Sequence, residues 1–167
     1  MPRRLLRNSQ IVVDEWRYIA EASRDAAAPL IVTLAQWQLE PDTWLARGTP
    51  IGVVLSPAHR VEQIAAELEV FSLVAAEFSG PGEGRGYTQA RQLREQYAFT
   101  GELRATGYVR RDQLFFMARC GFNSFELPDS DIEDAFTAFS TFTAAYQPSN
   151  DLGLSHKLRN TVSAPRT

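Results

Sequence analysis

Two nearly continuous apolar runs, IGVVLSP (51–57) and FSLVAAEFS (71–79), set the frame of the chain. Apolar residues on both sides of a strand mark a strand covered on both faces, as in a parallel sheet. Between them, HRVEQIAAELEV puts Val61, Ile64, Ala65 and Leu68 on one stripe and predicts an amphipathic helix. The rhythm then repeats. After the glycine-rich GEGRGYT, the segment TQARQLREQY places Ala90, Leu93 and Tyr97 at helical spacing, Thr100-Gly101 ends the helix, and GELRATG (101–107) follows as a strand. Tyr108 to Cys120 predicts a further helix with Leu114, Phe115 and Ala118 along one side. Gly121 stops it, and FNSFEL (122–127) is the next strand. In DIEDAFTAFSTFTAAY, capped by Ser130 or Asp131, the residues Ile132, Phe136, Phe139 and Thr143 share the face of a last helix.

Upstream the pattern is weaker. Arg4 to Ile19 alternates around Asn8-Ser9, with Ile11, Val12 and Val13 as the best strand residues, and predicts an N-terminal hairpin or arm appended to the domain. A linker over 23–29 and a short strand at Leu30 to Leu34 follow. Pro41-Asp42 opens a helix through Arg47 that Gly48 closes. The expected fold is α/β: a parallel sheet of four to five strands in βα repeats, forming one domain over 1–147 that includes an arm at 1–29. A flexible or partner-binding tail is expected over 148–167. Half of a (β/α) barrel and a doubly wound sheet both satisfy this order of elements, and periodicity does not separate them. In either one, functional groups gather at the carboxyl ends of the strands.

Composition narrows the partners more than the chemistry. A chain of 167 residues with 44% hydrophobic residues suits a single domain with a real core. The net charge of −3 with interspersed signs argues against a nucleic-acid or membrane surface, since both need a basic stripe. The basic start MPRRLLRNSQ is followed by no apolar run of signal-peptide length, and no stretch is long enough to span a bilayer, which implies a cytoplasmic protein. One cysteine excludes an internal disulfide and an iron–sulfur cluster held by this chain alone. No Cys/His spacing suggests a metal site, and no evident motif identifies a cofactor.

Strand alternation gives the first candidate site. Glu77, Arg104 and Glu126 fall on three consecutive strands near the same end, on the faces carrying Leu73, Glu102 and Ser124 respectively. Charges facing a packed layer must meet one another or line a wet cleft, so Arg104 is expected to pair with Glu77, Glu126 or both. The catalytic reading makes these three an acid–base or anion-holding pocket, and the structural reading makes them an ion-pair network. The loop around Gly84, Arg85 and Gly86, with Arg110 and Arg111 at the next helix start, is a candidate rim for a carboxylate, sulfite or phosphate. It lacks the spacing of a dinucleotide fold or a P-loop. Cys120 reads as packing and His59 as a surface or capping residue. Trp16, Trp37 and Trp44 read as anchors of the arm or of an oligomer interface.

The run GRGYTQARQLREQYAFTGELRATGYVRRDQLFFMARCGFNSFEL resembles the core signature of a bacterial family of unknown function, described as oxidoreductases involved in sulfite reduction and encoded beside sulfite reductase. The likeness extends more loosely over IVVDEW, PLIVTLAQW, IGVVLSP and VAAEF. Where that family has a proline-lysine-aromatic stretch before glycine-arginine-glycine, this chain has SGPGE, so a basic loop residue is missing. The resemblance implies an accessory role in assimilatory sulfur metabolism, with sulfite reductase or a small sulfur oxyanion bound at the Arg85, Arg110 and Arg111 rim. Its rival is a small enzyme, an oxidoreductase by the family's description, acting through Glu77, Arg104 and Glu126. A filled interior with arginines on an open rim favours the first, and a pocket enclosing all three residues favours the second. A homodimer that covers open sheet edges is a further expectation.

Overall fold

The computed structural model describes residues 4–19 and 27–142, with side chains through 139. The tail at 148–167, Thr143 and most of the 23–29 linker lie outside the described residues. Eight strands form one sheet: β1 (Arg4–Arg7), β2 (Gln10–Val13), β3 (Arg17–Tyr18), β4 (Leu30–Thr33), β5 (Ile51–Leu55), β6 (Phe71–Phe78), β7 (Glu102–Gly107) and β8 (Ser124–Phe125). Five α-helices accompany them: α1 (Leu34–Leu39), α2 (Pro41–Leu45), α3 (Arg85–Arg91), α4 (Leu114–Cys120) and α5 (Ile132–Phe142). The spatial order is β2-β1-β8-β7-β6-β5-β4-β3. Strands β3 to β8 are parallel throughout, and the β1–β2 hairpin adds antiparallel to β8.

The order of β4 to β8 is consecutive, whereas a doubly wound sheet reverses direction partway. The helices accordingly share one face. Val53, Leu55, Val74, Ala76, Phe78, Leu103, Ala105 and Phe125 point into one buried cluster with Leu34, Trp37, Ile64, Ala90, Leu93, Met117 and Ala135.

The sheet is curled, and chain length requires it. β2 and β3 occupy opposite edges yet are joined only by Asp14, Glu15 and Trp16. Four extended steps reach at most about 14 Å. Seven gaps at about 4.8 Å each would hold the edges of a flat sheet about 34 Å apart. The linker therefore crosses the concave face as a strap. Trp16 packs there with Ile31, Leu73 and Ala75, and Tyr18 and Val54 flank them.

Two expectations change. The sheet has eight strands rather than four to five, because the N-terminal segment supplies both edges and is no appendage. Its hairpin turns at Asn8-Ser9, where both residues take positive φ, and Leu6 stands opposite Phe125. The segment before β6 is not an α-helix but two 3₁₀ segments, Val61–Gln63 and Ala65–Val70. The three-residue step between buried Val61 and Ile64 fits that tighter winding. Of the tryptophans expected to anchor the arm or an oligomer interface, Trp16 is buried where the arm crosses the sheet and Trp37 is buried in the core on the helix-covered face. Trp37 meets Phe71 edge-on at a centroid distance of 4.8 Å. Helix α1, which the apolar pattern did not reveal, starts from a capping box between Thr33 and Gln36.

Candidate functional site

Alternation along β7 turns Glu102, Arg104 and Thr106 to the concave face, and the register sets Arg104 beside Ser124 and Thr106 beside Glu77. Arg104 is fully buried. Its guanidinium grips Asp14 of the strap through both terminal nitrogens, at 3.1 and 3.0 Å. Nε and Nη2 donate to Glu102 Oε1 at 3.0 and 2.8 Å, and Nη1 lies 3.5 Å from Glu126 Oε1. Arg7 of β1 reaches the other oxygen of Glu102 at 3.3 Å. A guanidinium has five N–H bonds; four of them hydrogen-bond to Asp14 and Glu102 here, and Glu126 stands within ion-pair distance. Burial alone would lower the pKa of Arg104. Glu102 and Asp14 more than offset it and hold the charge in place.

Toward the carboxyl ends of the strands this cluster meets a second group. Tyr18 Oη donates to Glu126 Oε2 at 2.9 Å and lies 3.3 Å from Thr106 Oγ1, which donates to the same carboxylate oxygen. Tyr18 stands four strands from β7 along the sheet, so these bonds span the hollow of the curl. Burial, and then the charge of Glu126, push the Tyr18 phenol well above its ordinary pKa. Of the three residues read as a pocket, Arg104 and Glu126 meet and Glu77 stays solvent-exposed. Asp14 and Tyr18 were missed because they arrive from the N-terminal arm. An acid closing the otherwise apolar IVVD is the signal that could have found the first.

The second site is a cleft of about 540 Å³ at the carboxyl ends of β5 and β6. Arg85, Thr88, Gln89 and Gln92 line it at the i, i+3, i+4 and i+7 spacing of one helical face, and Pro57, His59 and Arg60 line it from the loop after β5. Arg85 is exposed, and its Nη1 touches the Pro57 carbonyl at 3.3 Å. His59 Nδ1 accepts from the Ser56 amide at 3.0 Å, which leaves the proton of the neutral ring on Nε2. Glu62 also borders the cleft and pairs with Arg60 at 3.6 Å. Gln89 is only 3% exposed; its Nε2 donates to the carbonyls of Ser56 and His59 at 2.9 and 2.8 Å.

The other members of the expected anion rim lie elsewhere. Gly86 is buried, and a Cβ there would meet the Phe78 ring at 2.6 Å, so close packing explains that glycine. Gly84 faces open space. Arg110 stacks on Tyr108 and comes within 3.9 Å of Asp131, and Arg111 comes within 3.8 Å of Asp134. The acid facing these two arginines thus comes from the chain itself, around α5. Cys120 is buried, as a packing residue should be. Among the described residues no group of three His, Cys, Asp or Glu side chains is placed to hold a metal ion, and no helix is long and apolar enough to cross a membrane.

Residues 52–155, well over half of the chain, match the sequence profile of a family described as "Bacterial protein of unknown function (DUF934)". No curated protein matches the chain.

Proposed function

We propose, from the premise that the chain belongs to this bacterial family of unknown function, that the protein is an accessory factor of assimilatory sulfite reduction that binds a small sulfur oxyanion in the Arg85 cleft and presents it to sulfite reductase. One contrast carries the reading. The strap crosses the concave interior and Arg104 is held there by Asp14, Glu102 and Glu126, while Arg85 and polar residues of its helix line an open cleft at the strand ends, beside the Arg60–Glu62 pair. A buried guanidinium committed to carboxylates has little left to offer a substrate, whereas an exposed one, such as Arg85 beside Thr88 and Gln92, can take a small anion even with Glu62 bordering the cleft. The sulfur context rests on the sequence resemblance, and the cleft supplies the chemistry.

Titrating sulfite into the protein by calorimetry tests the binding step. The wild type should bind, and Arg85→Ala should bind roughly ten- to a hundredfold more weakly, since hydrogen bonds to charged groups contribute about 1.5–3 kcal/mol. Turnover of sulfite reductase with stoichiometric wild-type protein tests the role. A rise that Arg85→Ala fails to produce supports it, and unchanged turnover together with no sulfite binding overturns it.

A further inference from the structure

The turn that walls the Arg85 cleft is held more firmly than a surface connection needs. Ser56-Pro57-Ala58-His59 closes on itself through the His59 amide and the Ser56 carbonyl at 3.0 Å. The buried Gln89 amide donates to the Ser56 and His59 carbonyls, and Arg85 Nη1 donates to the Pro57 carbonyl. Helix α3 thus grips three of the turn's four carbonyls. The imidazole is fixed as well, since Nδ1 accepts from the Ser56 amide at 3.0 Å and lies 3.2 Å from Ser56 Oγ. Connections at strand ends are usually the mobile parts of a fold, and those that a scaffold holds still are the ones that carry binding groups.

This bonding leaves one donor over. With Nδ1 turned back to the turn as an acceptor, the neutral ring keeps its proton on Nε2, at the opposite edge. Nε2 bonds to no described residue, and it is not among the buried polar atoms left without a partner, so on this half-buried ring it is open to solvent. The residue lines the cleft from the loop, and the exposed Arg85 and Thr88 line it from α3. Two carboxylates bear on the same place. Glu62 lines the cleft and repels an anion there, with Arg60 at 3.6 Å offsetting part of its charge. Glu83 accepts from the Arg85 main-chain N–H at 2.9 Å, and among the described residues no carboxylate pairs with the Arg85 guanidinium. Beside Glu62, one exposed arginine makes a weak site, and a neutral donor already fixed in place adds attraction at little ordering cost.

We infer that His59 is the second anion-binding residue of the cleft, donating from Nε2–H to an oxygen of the ligand whose charge Arg85 meets, and that Gln89 is the positioning residue that holds the turn and its ring there. The inference rests on the oxyanion reading of the same cleft and names the wall that completes it. A ligand held from both walls carries two or more oxygens on one centre, as sulfite, phosphate and carboxylates do.

Calorimetric titration of sulfite into the full chain, with the nitrogen NMR signals of the His59 ring followed in parallel, tests this. The chain has two histidines, and His59→Asn identifies the signal. The asparagine oxygen can still accept from the Ser56 amide, but the side chain offers no donor at the Nε2 position. Sulfite should move the Nε2 signal along the calorimetric saturation curve, and His59→Asn should bind about tenfold more weakly. Gln89→Met removes both clamping bonds. It should weaken binding by a similar factor in the wild-type background and by less than about twofold in the His59→Asn background, because it acts through the ring. Should Gln89→Met not fold, Gln89→Asn, too short to reach both carbonyls, takes its place. An unmoved Nε2 signal with His59→Asn at wild-type affinity, while Arg85→Ala still binds more weakly, would overturn the inference and leave the oxyanion reading standing. Equal losses from the Gln89 variant in both backgrounds would overturn its positioning role. No sulfite binding at millimolar concentration would overturn both readings.

Discussion

Inside the curl Arg104 is fully buried and hydrogen-bonded to Asp14 and Glu102; at its mouth Arg85 is exposed and touches only a backbone carbonyl, that of Pro57, among its described side-chain bonds. Both places combine arginine with polar neighbours beside the same sheet, and either could pass for an active centre in the sequence. The difference lies in burial and in what meets each arginine's charge. A buried guanidinium is tolerable only when its charge and donors are matched, and here the matching carboxylates come from β7, β8 and the strap, so the cluster binds the sheet to its own N-terminus. The cleft instead presents the exposed Arg85 and the Arg60–Glu62 pair to solvent. A buried arginine matched by carboxylates points to structure, and an exposed arginine lining a cleft can meet a ligand.

The largest test of this contrast is Arg104→Met. It leaves Asp14 and Glu102 buried without their cation, and breaking one side of a buried pair costs about 3–5 kcal/mol. Urea unfolding should show a loss of that order while anion binding in the folded protein persists. Survival of full stability would mean that the cluster does not hold the strap. Trp16→Ala should cost a similar amount, about 3–5 kcal/mol, by emptying the apolar half of the strap's seat. Because Trp16 and Asp14 lie on the same crossing segment, the Trp16 and Arg104 substitutions should combine to less than their sum.

Tyr18→Phe should act less and in a pH-dependent way. At neutral pH it removes one hydrogen bond to Glu126, at a cost of about 1 kcal/mol. The folded-state pKa of Tyr18 is raised, so the native state holds this proton more tightly than the unfolded chain does. That contribution is fully present below the unfolded tyrosine value of about 10 and is lost as pH rises toward the higher folded value. Wild-type stability should therefore fall on the alkaline side more steeply than that of Tyr18→Phe, as followed by denaturant midpoints across pH. Parallel curves would remove Tyr18 from the network.

What the sequence made legible divides along the same line. The apolar runs at 51–57 and 71–79 could only be covered strands, and the glycine stops at Gly48 and Gly121 take the positive φ their positions required. The pairing order could not be read, since periodicity says which face a residue takes and not which strand lies next to it. The fate of the hairpin was partly visible: Leu5 and Leu6 are adjacent apolar residues, and both are buried, which suits a strand covered on two faces better than an exposed arm. The Arg104 and Glu126 pairing followed from the cost of burying charge. Asp14 and Tyr18 did not, because their partners lie about 90 residues and more away in sequence. Gln89 was hidden for a related reason. A polar helical stripe normally faces water, as Arg85 and Thr88 do here, and Gln89 is buried within it because its amide meets the Ser56 and His59 carbonyls.

The smallest stability effect is expected from the arginines that the sequence grouped with Arg85. Arg110 and Arg111 are about half exposed, with side-chain accessibilities of 51% and 57%, and their acidic partners stand near the 4 Å limit of an ion pair. Exposed pairs of this kind contribute about 0–1 kcal/mol, so the Arg110→Ala, Arg111→Ala double variant should unfold close to the wild type and lose the little it does lose faster at low salt than at high salt. Arg85→Ala should also stay within about 0.5 kcal/mol, as surface substitutions do. The two variants part in binding. If the anion sits in the cleft beside Arg85, which neither Arg110 nor Arg111 lines, the double variant keeps the wild-type affinity for sulfite within about twofold, because exposed charges outside the site are screened over a Debye length of roughly 8–10 Å. Arg85→Ala loses that affinity. An equal loss in both variants would mean that the rim acts as one diffuse cationic field and that the cleft is not a defined site.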